Sequence, residues 1–499
     1  MCTFAGIITK MNKFSNNFQP GKRLYICLFA LTALFIAANM IAVYNDSWLL
    51  SIASCGLFLL FFALFNLDAL LIIIMFFVPV SVELSVFFPQ PPVNMNLPTE
   101  PLLFLAMCLF FVKLLVEKRF DKEVLKHPVS IAIYAYLGWL LFSSIMSVDV
   151  VVSFKKLLMH VWFIVSFYFL ITQLIAADKK NITRCIIAYS LGMVITIIYT
   201  TYNHALADFS QQSAYRAMFP IFRDHTSYGA ALAMLLPAVF VCMRFSRNDF
   251  NIKILYIILL CVLLGALILS YSRAAWLGVV IAICVLVLVK LKISFKSLSI
   301  VVVFLAIIVI PMRNEIYFAL QKNETDSSLD MMEHVKSASN ITTDESNVER
   351  INRWKSALRM FQTEPVFGMG LGTYAFTYAP FQVSSDLSRA STNAGNRGNA
   401  HSEYLGFLAE TGFMGLLCYV AIIITTIAAA VRVFKRSASA FAKQMALFLV
   451  LALSTYYLHG FLNNFLDMDK IASLFWSFMA IIVVLDIETK QSGRQNLLC

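Results

Sequence analysis

Charge is scarce in this chain: Asp, Glu, Lys and Arg together fill 13% of its 499 positions, about half the share found in a soluble domain. With 60% hydrophobic residues and a mean hydropathy of +0.78, that scarcity excludes a water-soluble globular fold. Cysteine is missing where it could build something. The ten cysteines fall in apolar stretches or near the termini, and none lies within the long polar stretch 313–400. Neither a disulfide framework nor a zinc cluster is therefore available there. No small-residue cleavage site follows the first apolar run, which is longer than a signal-peptide core, so an uncleaved signal anchor is expected.

What the sequence does have is apolar length. Stretches of roughly 17–21 mostly apolar residues recur, each long enough to cross a hydrocarbon core as a helix. They run over 24–44, 48–65, 68–88, 100–116, 129–147, 157–175, 184–202, 226–244, 253–271, 275–293, 296–312, 412–432, 442–460 and 470–486. The expected fold is all-α: a polytopic inner-membrane protein with about 12–14 transmembrane helices, the lower figure if 48–88 or 275–312 merge.

Basic residues orient it. "KRFDKEVLK" (118–126), "KLKISFK" (290–296) and "RVFKRSASAFAK" (432–443) lie in alternate gaps, which places those gaps and both termini in the cytoplasm. The expected organisation is a cytoplasmic N-terminus (1–23), a bundle over 24–312, a large periplasmic loop over 313–411, closing spans over 412–486 and a cytoplasmic tail (487–499). The net charge of +11 then reflects loops beside anionic lipid, and no nucleic-acid partner is needed to explain it.

The polar stretch divides in two. Residues 323–347 lack periodicity and read as a flexible insertion. The segment that follows has a pattern: Ser346 and Glu349 have capping-box spacing, and Ile351, Trp354, Leu358 and Phe361 form one apolar stripe of a helix that Pro365 ends. This predicts an amphipathic helix at the outer membrane boundary, with Trp354 suited to that depth. Arg350 and Arg353, three residues apart, can reach one side of its first turn as an anion site; the alternative is snorkelling toward lipid headgroups. "PVFGMGLGTY" (365–374) follows a helix rather than a strand, which removes a dinucleotide-binding reading and leaves tight turns and close packing.

"GNAHSEYLGFLAETGFMG" (398–415) predicts a short helix over 400–411, with Asn399 as its N-cap and Gly412 as its stop. On a helical wheel Tyr404, Leu405 and Leu408 share the side of His401, while Glu403 and Glu410 point away. His401 is either a functional imidazole or an interfacial one satisfied by backbone. Arg273, in "LILSYSRAAWLG" (267–278), sits between two spans with almost no loop, where an arginine needs a partner or a function; beside Trp276 it could equally be a snorkelling anchor. Arg216 and Arg223, in "AYRAMFPIFRDHTSYG" (214–229), are weaker candidates of the same kind. All these groups are expected on the same face of the membrane.

Together, "SRAAWLG" (272–278), "RINRWKSALRMFQTEPVFGMGLGTY" (350–374) and "AHSEYLGFLAETGFMG" (400–415) resemble the O-antigen ligase and polymerase superfamily of bacterial envelope glycosyltransferases. The last segment matches the family's order of histidine, leucine, glutamate, glycine and glycine at His401, Leu405, Glu410, Gly412 and Gly415. Two departures stand out: Ser402 where the family often has asparagine, and the length of the 323–347 insertion. The resemblance implies a GT-C-type glycan transferase that uses an undecaprenyl-diphosphate-linked donor. In a ligase, the acceptor is a sugar hydroxyl of lipid A-core in lipopolysaccharide biosynthesis.

His401 would serve as the base, with Arg273, Arg350 and Arg353 on the diphosphate. Arg216, Arg223, Tyr404 and Trp354 would contact substrate, and Glu410, Gly412 and Gly415 would shape the motif. No cofactor and no metal are expected, the reaction inverts the anomeric centre, and the chain acts as a monomer among membrane lipids. A polymerase that takes a second lipid-linked repeat unit as acceptor, and a protein O-oligosaccharyltransferase, remain alternatives. A lipid-linked-glycan transporter fits less well, because its charged or helix-breaking groups should sit near mid-bilayer.

Overall fold

The computed structural model describes residues 22–45, 51, 64, 66–88, 95–117, 120–246, 250–291, 345–387, 391 and 398–498. The expected spans 48–65 and 296–312 and most of the 323–347 insertion lie outside the described residues. Among the described residues, ten helices are long and apolar enough to cross a membrane, as an all-α multi-pass membrane protein requires. The elements in chain order are α1 (Lys22–Tyr44), α2 (Leu67–Phe77), β1 (Val82–Glu83), β2 (Asn96–Leu97), α3 (Thr99–Glu117) and α4 (Pro128–Ile145). They continue with α5 (Val150–Ala177, containing a π-helical turn), α6 (Lys180–Ala205), α7 (His225–Phe245), α8 (Phe250–Leu269) and α9 (Arg273–Lys290). Then come α10 (Glu345–Thr363), α11 (Glu403–Arg436), α12 (Ala440–Leu462) and α13 (Asp469–Leu498).

The bundle is built around α13, which is apolar from Ile471 to Leu485 and buried over most of that length. Its polar residues mark the two ends. At one end the Asp469 carboxylate accepts hydrogen bonds from Ser81 Oγ at 2.7 Å and Thr99 Oγ1 at 2.6 Å. At the other, Asp486 pairs with His127 at 3.0 Å, Arg432 at 2.7 Å and Lys490 at 3.1 Å. The two aspartates are about 26 Å apart along an α-helix, close to the thickness of a hydrocarbon core. The Asp486 end thus gathers two of the basic gaps read from the sequence. Its buried carboxylate is matched by cations, as a charge at that depth requires.

The opposite end, the Asp469 end, gathers β1 and β2, the turns 146–150, 206–224 and 463–468, α10, and the segments 364–387 and 398–402. The contacts that tie them are Val148 N–H to Met369 O at 3.0 Å, Arg223 to Glu83 at 2.6 Å, and the Lys156–Asp467 ion pair. Small residues let the helices approach: a Cβ on Gly192 of α6 would collide with the Phe76 carbonyl on α2.

Three local expectations change. The span expected over 68–88 ends at Val80: the chain turns through a 3-10 segment at Val78–Val80, and Val82 then pairs with Leu97 in a two-residue hairpin. The helix expected to stop at Gly412 instead breaks there (φ 68°, ψ −173°) and resumes, so one long α11 replaces a short helix and a separate span. Ser346 lies inside α10 rather than capping it.

α10 also buries the other face. Asn352, Arg353, Ser356, Ala357 and Met360 turn inward, while Leu358 is 42% exposed and Ile351, Trp354 and Phe361 are partly exposed. Ser356 and Ala357 allow close packing on the inward side, and the apolar stripe is left partly exposed.

Candidate functional site

The site grows from the N-terminus of α11. Ser402, not Asn399, is the cap: its Oγ accepts from Leu405 N–H at 3.4 Å. His401 therefore precedes the helix, at φ 48°, a left-handed conformation that costs a non-glycine residue about 1–3 kcal/mol. Neighbours enforce it. Asn399 Oδ1 accepts from His401 N–H at 3.1 Å, and Trp354 Nε1 donates to the His401 carbonyl at 3.1 Å. The helical-wheel grouping of His401 with Tyr404 does not hold for this reason. Tyr404 faces α12, stacked on Phe461 at 4.2 Å between centroids and donating to Tyr457 O at 2.9 Å.

His401 is partly buried among cations. Burial, then Arg350, then Arg353 pull its pKa down from the usual 6.5 to about 4, against the opposing pull of Glu349 and Asp224. The imidazole is neutral at pH 7. Arg350 lies within electrostatic range of His401, His225 and His459, and Arg273 within range of His225. Five separate stretches of sequence thus come within electrostatic range of one another: 224–225, 273, 349–353, 401 and 459.

The two arginines of α10 do not share an environment. Arg353 is 4% exposed, donates from Nε to Glu349 Oε1 at 2.6 Å, and lies with its guanidinium carbon 3.9 Å from the centre of the Tyr378 ring. Gly398 packs so closely that a Cβ would collide with Nη1. Arg353 is thus held inside the protein, while its charge is still felt at His401. Arg350 is less buried. Arg223 is paired with Glu83 and lines a neighbouring cavity, and Arg216 stands exposed after the turn at Gln211–Ala214.

Beneath the site, the glycine-rich stretch 365–374 docks onto the break in α11. A broken helix leaves carbonyls without i+4 donors. Here Ala409 O accepts from Met369 N–H at 3.0 Å, Glu410 O from Gly370 N–H at 2.9 Å, and Thr411 O from Trp139 Nε1 at 2.8 Å. The Glu410 side chain accepts from Gly372 N–H at 2.8 Å and Tyr374 N–H at 3.0 Å. A Cβ on Gly412 would collide with the Val366 carbonyl, and one on Gly415 with Thr411 Oγ1. These three motif residues shape backbone.

Sequence reasoning missed Asp224, His225 and His459, and read Glu403 only as pointing away from His401. Asp224 caps α7 by accepting from Ser227 N–H at 2.7 Å, so a D-x-x-S cap followed by histidine was the available signal. His459, 1% exposed, ends α12 with Nε2 3.1 Å from Asn463 Nδ2; a histidine within an apolar span could have been flagged. Glu403 accepts from the N–H groups of Phe465 and Leu466 at 2.7 and 2.8 Å and from Tyr456 OH, which clasps α11 to the turn before α13.

No curated protein matches this chain. Residues 257–420, which include Arg273, α10, the glycine turns and His401, match the family model described as O-antigen ligase. Over that third of the chain the match supports the O-antigen ligase superfamily, whose ligase- and polymerase-type activities serve envelope glycan assembly.

Proposed function

We propose that the chain is an O-antigen ligase of the bacterial inner membrane, with both termini cytoplasmic and the His401 end facing the periplasm. It transfers a glycan from an undecaprenyl-diphosphate carrier to a sugar hydroxyl of lipid A-core. The observation that carries this reading is a neutral imidazole beside Arg350, at the end of the bundle away from the basic cluster around Asp486.

The acceptor hydroxyl gives its proton to His401 as its oxygen bonds to the anomeric carbon. The bond from that carbon to the diphosphate oxygen breaks on the opposite face, so configuration inverts and the diphosphate leaves as an anion. Arg350 and Arg273 hold that anion, because a guanidinium fork suits phosphate geometry and compensates its charge without a metal. Arg353 acts at one remove from the substrate. It fixes α10 through Glu349 and Tyr378 and contributes to the field at the imidazole.

An imidazole with a pKa of about 4 is free to take a proton but is a weak base. A bound diphosphate beside Arg350 offsets the field that lowers the pKa. The base therefore strengthens when the donor arrives.

The test is transfer by the purified chain from a lipid-linked glycan, with and without lipid A-core. Product should form on lipid A-core with the wild type and vanish with His401→Ala at equal protein level. Elongation of the lipid-linked glycan without lipid A-core would instead mark a polymerase with the same site. No product on either acceptor would refute glycan transfer.

A further inference from the structure

Beside the histidine group, at the same end of the bundle, lies a cavity of about 630 Å³ that the mechanism above does not use. It is bounded by the ends of α3 and α5, the β1–β2 hairpin, and the turn before α13. The stretch 223–225 separates the two regions: Arg223 lines the cavity, while His225 lies within range of Arg350.

Four cations and four carboxylates line this cavity, six of them in pairs: Lys156 with Asp467, Arg223 with Glu83 at 2.6 Å, and Lys470 with Asp469 at 3.4 Å; Lys155 and Glu100 make up the rest. Glu100 accepts from Asn96 Nδ2 at 3.0 Å. Such a lining sets donors and acceptors side by side, and its cations are equalled in number by carboxylates, so it has little call for an anion. Trp162 contributes ring surface, and its Nε1–H is buried with no acceptor among the described residues. Buried indole N–H groups normally have one. Met159 and Phe104 add apolar surface. Alternating polar pairs, a flat aromatic ring and an unmet donor are the features a polyol with apolar C–H faces would satisfy, and the volume lies in the range of ligand pockets.

We infer that this cavity is a saccharide subsite, which holds uncharged sugar units through hydroxyl contacts to the Lys156–Asp467 pair, Glu100 and the Trp162 indole. It rests on the glycan-transfer reading. The sugars belong either to the donor glycan or to the acceptor core, and the same experiment separates the two.

Steady-state transfer is measured with the full-length chain, with each substrate varied in turn. The variants are Trp162→Phe, which removes the donor and keeps a ring, Glu100→Gln, and Met159→Trp, which fills the space. KM for one substrate should rise about tenfold, the loss of one hydrogen bond of the stronger kind, with kcat within about twofold. The substrate whose KM moves is the one whose sugar occupies the cavity. Inhibition by undecaprenyl phosphate, which carries no sugar, should be unchanged.

Unchanged KM values for both substrates in folded variants overturn the assignment. So does a fall in kcat and melting temperature alone, which would mean a structural role. Weakened inhibition by undecaprenyl phosphate would make the cavity a lipid-phosphate site instead. A wild type that transfers no glycan refutes the functional reading itself, and this assignment with it.

Discussion

Glu410 lies in the family motif, yet its contacts are those of a scaffold, and replacing it by glutamine separates the two roles. The carboxylate receives Gly372 N–H at 2.8 Å on one oxygen and Tyr374 N–H at 3.0 Å on the other. Glutamine keeps one acceptor and offers an amide NH2 in place of the second, so one N–H loses its acceptor and faces another donor. A hydrogen bond to a charged group contributes about 1.5–3 kcal/mol, and leaving a buried donor unmet costs about 1–3 kcal/mol. The two figures overlap, which puts the total at about 3 kcal/mol, or roughly 150-fold in the docking equilibrium of the turn.

Hydrogen exchange at the Gly372 and Tyr374 amides reads that equilibrium directly, and protection in Glu410→Gln should fall by about 100-fold. Transfer should fall as well, because Tyr374 OH donates to Arg353 O at 2.8 Å and so ties the turn to α10. Lost transfer with unchanged exchange at both amides would refute the reasoning. It would mean that the carboxylate acts on substrate.

The pH profile tests His401. With its pKa at about 4 in the free chain, kcat/KM should stay flat from pH 7 to about 5 and fall as the imidazole protonates below that. Arg350→Gln removes a cation that lowers this pKa, so the fall should begin at a higher pH; a move to lower pH would sink the field argument. Gly412→Ala should lose folded protein, since φ 68° with ψ −173° is nearly glycine-only backbone at about 1–3 kcal/mol, before any collision with Val366. Normal yield and melting would show that the break in α11 is not needed. Reporters fused after Ser384 and after Ser437 should report periplasm and cytoplasm respectively, and the same side for both would undo the orientation.

Much of this was legible because length and charge speak plainly in membrane proteins. The spans and the alternation of basic gaps follow from burying backbone in hydrocarbon. That alternation also led to the expectation that Arg273, Arg350 and His401 share one face. What was not legible depends on what surrounds a helix. In water, the stripe Ile351, Trp354, Leu358 and Phe361 would face a core. In α10 the side carrying Asn352, Arg353, Ser356, Ala357 and Met360 faces inward instead, a choice set by tertiary contacts that the stripe alone does not reveal. His401 was misplaced on a helical wheel because Asn399 and Ser402 can both cap, and only the packing against Trp354 and Gly460 selects Ser402. His459 and Asp224 escaped because each is ordinary in its own segment and unusual only in its neighbours.

The arrangement around α13 bears on how the molecule is made. The most apolar stretch of this helix is 94% buried, against 17–72% for the other candidate spans, and it follows all of them in sequence. The hydroxyls of Ser81 and Thr99 find their carboxylate, Asp469, only across 388 and 370 residues of chain. During synthesis the packing partner of the earlier helices, and the acceptor for both hydroxyls, therefore arrives last. A chain that ends before Asp469 lacks the most buried of its spans and the carboxylate that Ser81 and Thr99 share.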